Sequence, residues 1–303
     1  MSFAKSHSFG SIVARAGRVG MSGPVATIQK VLFNLYWALE RRITPGVEPS
    51  QNEYARIVKA HVGPSTRWLE LGCGHQLWPE WIPGQAETAG RARLLVGLDP
   101  DAASLKLNPV VHHRVAGLQL PFREGSFDLV TANMVFEHLE DPVAVLSDIR
   151  RVLTPRGVCI FHTPNSRHWL TALGRSVPQF LKNVLIKFTE GRAPKDVYPT
   201  HYRVNTQESV ARVLTDAGFT TDRMIMLNTS SAGSILMLGP FVVLALLWAR
   251  CTQRPELSHL RSNIIAISRP VIANEHVGRP KPASEVATSR AWATAEATAR
   301  LGH

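Results

Sequence analysis

From Arg67 onward the chain alternates short apolar runs with helical patterns, and this constrains its fold more than any other feature. WLELG, LLVGLD (94–99), FDLVTAN (127–133) and VCIFHTP (158–164) read as buried strands. Between the last two lies DPVAVLSDIRRVL, a helical pattern with Pro142 in its first turn. Pro155-Arg156-Gly157 reads as its stop and as a turn. Further on come a helix over 206–217 (TQESVARVLTDA) ended by Gly218, a strand near 221–227 and a last strand at Asn263–Ser268. Strands separated by helices imply a parallel, doubly wound α/β sheet. Ahead of it, residues 26–43 place Ile28, Val31, Leu32, Leu35 and Leu39 at helical spacing, and a second helix is expected over Asn52–Val62, stopped by Gly63-Pro64. No internal repeat is present.

The stretch LELGCGHQ (69–76) closes the first strand with a sharp turn. Glycines at 72 and 74 let backbone approach a ligand, and a following helix N-terminus offers free N–H groups. Ligands of open α/β sheets lie beyond the carboxyl ends of the strands. An ordinary tight turn would look the same, so two neighbours matter. The dinucleotide fingerprint needs a third glycine, and position 77 is Leu. Glu70 would repel a pyrophosphate and suit a cationic ligand. Asp99 closes the second strand, where an acid can accept both hydroxyls of a ribose. Its alternative role is as a cap or turn former in Asp99-Pro100-Asp101.

LELGCG, GLDPD, LPFREGSFDLVTANMVFEHLEDP and the LTPRG turn together resemble the class I S-adenosylmethionine-dependent methyltransferases, in particular the group that includes the ubiquinone-biosynthesis enzymes. The resemblance covers roughly residues 50–270. It implies a Rossmann-like, doubly wound, mostly parallel seven-stranded sheet with helices on both faces, to which the residue pattern adds an N-terminal helix and an apolar helical insertion (232–256) before the last strand. It implies S-adenosylmethionine as cofactor, with Glu70, Leu71, Gly72, Cys73 and Gly74 along its methionine half. Asp99 would hold the ribose hydroxyls and Pro100 would pack by the adenine. Asn133 and Met134, with Val135, would sit by the sulfonium, and His138 would face the substrate mouth. The adenine-side acid common in the family is missing: Ala116, Gly117, Leu118 and Gln119 precede Leu120. The long segment from Gly74 to Leu94 holds His75, Trp78 and Trp81, which either wall the acceptor or simply pack.

The acceptor is expected to be a small molecule, amphipathic or lipid-linked in character, with a hydroxyl as the leading nucleophile. Tyr198, His201, Tyr202 and Arg203, in YPTHYRVNT, are polar-aromatic for a loop, and Arg203 could bind an acceptor carboxylate or phosphate or else tie to a core carboxylate. His138 and His201 are the candidate general bases, a hydrogen-bonded packing role being the alternative. Rival functions are a non-catalytic S-adenosylmethionine-binding interaction protein, an NAD-dependent oxidoreductase and a basic RNA methyltransferase.

Charge narrows the partners. Lys and Arg number 34 against 23 acids, a net +11, yet no block of five basic residues occurs, so nucleic acid is not an expected partner. Cys73, Cys159 and Cys251 form no CxxC and no zinc-type spacing with His. Reduced thiols in a cytoplasmic protein and no metal are expected, and His112-His113 reads as a solvated loop. Residues 1–39 contain no acid, which suits a transit peptide, a disordered basic terminus (1–25) or a surface-seeking helix. The methyltransferase domain is expected over 26–274 and a disordered tail over 275–303. AGSILMLGPFVVLALLWA (232–249) carries no charge but is broken by Gly239-Pro240. With Phe180–Phe188 it permits peripheral contact with an anionic membrane, or packing on the sheet or in a homodimer interface.

Overall fold

The computed structural model describes residues 35–36, 38–117, 119–176, 199–229 and 242–272. The expected disordered ends, most of helix 26–43, Phe180–Phe188, Tyr198 and residues 232–241 of the apolar stretch lie outside the described residues.

Seven strands form one sheet in the order β3-β2-β1-β4-β5-β7-β6. They are β1 (Arg67–Leu71), β2 (Leu94–Asp99), β3 (His113–Ala116), β4 (Phe127–Asn133), β5 (Leu153–Pro164), β6 (Phe219–Leu227) and β7 (Asn263–Pro270). Strands β1 to β5 run parallel, and β7 lies antiparallel between β5 and β6. Among the described residues the helices are α1 (Ser50–His61), α2 (Gln85–Arg91), α3 (Ala102–Lys106), α4 (Pro142–Val152), α5 (Trp169–Ser176), α6 (Gln207–Asp216) and α7 (Val242–Cys251). Residues 38–43 are helical ahead of α1.

Local chemistry explains the helix starts. Asp141 caps α4 by accepting the Ala144 N–H at 3.0 Å, with Pro142 in the first turn. Thr206 and Ser209 form a reciprocal capping box on α6. The inner strands β1, β2 and β4 are buried on both faces, as a parallel sheet between helices requires. One face buries Leu69, Val130 and Phe161 under α4 and α6, with Phe136 and Phe161 stacked 4.0 Å apart. The other buries Trp68, Leu129, Ile160 and Ile267 under α1.

Three sequence expectations are corrected. Pro155-Arg156-Gly157 is not the turn between α4 and the next strand: β5 begins at Leu153 and passes through these residues, with a register shift against β4 between Phe127 and Leu129. His112 and His113 are both exposed, as expected of solvated residues, but His113 opens edge strand β3 instead of lying in a loop, and His112 Nδ1 accepts the Leu95 N–H at 3.0 Å. HRVA carries no apolar alternation because it is an exposed edge, so only its pairing with β2 defines it. The helix expected directly after the glycine turn starts only at Gln85, as α2, so no helix N-terminus abuts Gly74.

Candidate functional site

The carboxyl ends of β1, β2, β4 and β5 and the start of β7 share one rim of the sheet, as their directions and register require. The glycine turn sits there. Gly72 has φ +62° and its N–H donates to Leu98 O at 2.8 Å, so the chain folds sharply back over β2. A Cβ at Gly72 would lie 2.4 Å from Val135 Cγ2. Gly74 has φ +44°, but a Cβ there would meet nothing within 4 Å. One glycine is required by packing. The other faces open space and needs its bare backbone only for its conformation and for whatever approaches it.

Asp99 joins this turn to β2. Its Oδ2 accepts the Gly74 N–H at 2.7 Å and its Oδ1 accepts the Asp101 N–H at 2.8 Å. It therefore performs the turn-forming role, and each oxygen keeps a second lone pair for a ligand hydroxyl. Burial raises its pKa, opposed by those two N–H donors. Asn108 Nδ2 braces the turn from beneath, 3.2 Å from Cys73 O and from Gly74 O. The Cys73 side chain is turned into the core beside Gly97, and burial pushes its thiol pKa up. Cys73 can thus offer a ligand only backbone. Leu71 is likewise buried, on the α4 face, and Pro100 is exposed. On the adenine side, the Gly117 N–H donates to Asp99 O at 3.0 Å, and Leu118 lies outside the described residues.

Glu70 is placed differently from a mouth-lining carboxylate. It is 1% exposed, with its side chain turned under α1. Thr131 Oγ1 donates to Oε2, Trp68 Nε1 donates to Thr131 Oγ1, and the Tyr54 hydroxyl lies 3.5 Å from Oε1. Desolvation pushes its pKa up to about 8, against the lowering effect of these donors.

The third part of the rim is at the ends of β4 and β5. Asn133 Nδ2 donates to Gln51 Oε1 at 2.8 Å and points toward Leu77 O at 3.4 Å. Its Oδ1 lies 3.0 Å from His162 Nδ1. Met134 comes next, with φ +56° and its N–H donating to His162 O at 2.8 Å. Trp78 packs in the core below α1, with Lys59 Nζ 5.3 Å from its ring, and is 1% exposed.

The predicted bases converge in part. His138 Nδ1 lies 2.8 Å from Pro199 O, and the His201 and Tyr202 N–H groups both donate to Glu137 O, at 2.7 and 3.1 Å. The 199–205 segment is thus pinned to the short 3-10 turn Phe136–His138 after β4. Tyr202 has φ +52°, while the side chains of His201 and Arg203 are exposed. Glu137 is buried and receives the Thr163 hydroxyl at 3.2 Å; burial raises its pKa to about 7. Among the described residues no group of three His, Cys, Asp or Glu could hold a metal ion.

Sequence reasoning missed Gln51, Tyr54, Thr131, His162 and Asn263, all polar residues in otherwise apolar strands or on the buried side of a helix. The available signal was a polar residue at the rim end of an inner strand, the carboxyl end of β4 and β5 and the amino end of β7.

Residues 41–223 match the family model described as a methyltransferase domain. A Mycolicibacterium smegmatis protein named "probable S-adenosylmethionine-dependent methyltransferase" is 31% identical over 156 residues, 50% of this chain and 51% of that protein. A ubiquinone biosynthesis O-methyltransferase of Psychrobacter arcticus is 26% identical over 175 residues, 53% of this chain and 61% of its own. The chain spans about half the length of the curated relatives it matches. A solved S-adenosylmethionine-dependent methyltransferase from Mesorhizobium loti is 18% identical, with a TM-score of 0.44 over 71% of this chain and 96% of that one. With the family model covering residues 41–223 and most of the described sheet, the chain belongs to the methyltransferase-domain family, for which S-adenosylmethionine is the cofactor.

Proposed function

We propose that the protein methylates a hydroxyl of a small amphipathic acceptor, with His138 as general base. The observation that carries this is the tautomer of His138. Pro199 O can only accept, so Nδ1 bears the proton and Nε2 is the basic nitrogen. Burial lowers the His138 pKa, so the imidazole is neutral and able to accept a proton at neutral pH.

The residues of the rim fit the cofactor. Gly74 leaves open space against its backbone, Asp99 retains acceptor capacity for a ribose diol, and Asn133 presents an amide at the end of β4. When bound, the sulfonium supplies the methyl group and keeps the bonding pair as the neutral thioether. The chain's own part is to bring the hydroxyl in line, take its proton at His138 Nε2 and hold the resulting charge. Glu137 Oε1, 3.9 Å from Nε2, favours that imidazolium when ionised. In-line positioning supplies much of the acceleration in such a displacement.

Two features favour an amphipathic acceptor. A cleft of about 330 Å³ opens beside Ser50, Leu227 and Asn228 at the far side of the same rim. Next to it α7 exposes Leu244 and Leu247. One relative, moreover, is named for O-methylation in ubiquinone biosynthesis.

The test is turnover with radiolabelled S-adenosylmethionine across phenols and hydroxy acids bearing apolar tails. His138→Gln should lower turnover by about 10²-fold or more while leaving cofactor affinity intact. Cofactor binding with no turnover across such a panel would instead support a non-catalytic binding protein.

A further inference from the structure

On the α1 side of the sheet, the inward residues change character toward the rim. Trp68, Leu129, Ile160 and Ile267 are apolar, then come Glu70 and Thr131, and last a row of Asn133, His162 and Asn263. His162 is fully buried at the middle of that row, and none of the roles assigned so far uses it.

Its hydrogen bonds determine its proton. Asn263 Nδ2 lies 3.0 Å from His162 Nε2 and 2.6 Å from Ser50 Oγ. An amide nitrogen only donates, so Nε2 must be the nitrogen with the lone pair. The single imidazole proton is then on Nδ1 and is donated to Asn133 Oδ1. That in turn leaves the Asn133 NH2 facing Gln51 Oε1 of α1 and Leu77 O of the segment after the glycine turn. Two walls of the rim thus hang from one amide whose orientation is set behind it.

We propose that His162 is a positioning residue of the cofactor site: locked by Asn263 in its Nδ1–H form, it fixes the Asn133 amide and so holds α1 and the post-glycine segment in register for the cofactor. The inference rests on Asn133 lining that site. Tyr54 stacks on the His162 ring, centroids 5.6 Å apart, and fixes its plane. Burial lowers the His162 pKa to about 3, so the neutral form, and with it the relay, persists through the physiological range.

The test combines side-chain 15N NMR of the full chain with calorimetric titration of S-adenosylhomocysteine. Wild type should show His162 as the Nδ1–H tautomer. His162→Asn keeps a donor near the Nδ1 position and should bind within about threefold of wild type. His162→Gln keeps only the contact with Asn263 and should bind roughly tenfold weaker, the loss of about one hydrogen bond. Asn263→Asp puts an acceptor opposite Nε2. It should move the proton to Nε2, turn the Asn133 amide over and weaken binding, without any change at His162 itself.

A wild-type Nε2–H tautomer overturns the proposal. So does His162→Gln binding as tightly as wild type, or affinity that falls equally in the Asn and Gln variants in step with their melting temperatures. Wild type that fails to bind S-adenosylhomocysteine overturns the cofactor site as well, whereas wild-type binding beside an indifferent His162→Gln overturns only this role.

Discussion

Glu70 is a carboxylic acid buried beneath α1, among Tyr54, Trp68 and Thr131. Its folded pKa of about 8 lies above the ordinary 4.5, so between those values the folded state holds a proton that the unfolded chain releases. Stability must therefore fall as pH rises from 4.5 to 8. Glu137, raised to about 7, acts in the same direction. His162 acts in the opposite one: with its pKa lowered from 6.5 to about 3, it adds stability as pH rises through that interval. Melting temperature against pH should show its maximum in the mildly acidic range, and Glu70→Gln should flatten the fall above it. A Glu70→Gln variant whose neutral-pH fall equals that of wild type would show that Glu70 is not the group responsible. In the sequence, Glu70 reads as a carboxylate near a cationic ligand. The charge and the position were legible in LELG, but the direction of the side chain was not. Direction depends on strand parity, which puts Glu70 on the same face as Thr131 and beneath Tyr54.

At the level of the element, the glycine turn separates two needs that a G-x-G pattern cannot distinguish. Gly72 is closed in by Val135, and Gly74 looks onto open space. Gly72→Ala should cost about 2–4 kcal/mol, combining a left-handed backbone with a close contact. Gly74→Ala should cost about 1 kcal/mol for its positive φ alone, and yet lose most affinity for S-adenosylhomocysteine because the methyl group occupies ligand space. Denaturant unfolding and calorimetry on the two variants give the check: equal losses of stability, or a Gly74→Ala that binds normally, would contradict it. Elements with a strong apolar signal were legible to the residue, as β2 and β4 show. Strand β3 was not, because an exposed edge of four residues has no periodicity of its own, and β5 was clipped because Pro155 and Gly157 ordinarily mark turns.

For the whole molecule, part of the excess of basic residues lies beside exposed apolar side chains. Helix α7 packs through Val242 and Leu246 against Tyr36, Leu39 and Ile43, and these segments expose Val243, Leu244 and Leu247 as well as Arg41, Arg42 and Arg250. Their one acid, Glu40, is buried and receives the Tyr36 hydroxyl at 2.7 Å. Among the described residues no helix is long and apolar enough to cross a membrane. The exposed leucines beside arginines on this face predict docking on an anionic membrane surface. The protein should co-sediment with vesicles containing anionic lipid more than with neutral ones, less so at high salt. Leu244→Glu with Leu247→Glu should abolish this while leaving S-adenosylhomocysteine binding unchanged. Equal sedimentation with neutral vesicles, or no effect of the double variant, would sink it.

The place of β7 has a bearing on synthesis. Strand β6 is made before β7 and pairs with it, not with β5. A growing chain therefore carries β6 as an orphan until Asn263–Pro270 has left the ribosome. The same strand brings the amide of Asn263 to His162. Sheet and relay are completed by one event, so a chain interrupted before Asn263 leaves β6 without its partner strand and His162 without the Asn263 amide.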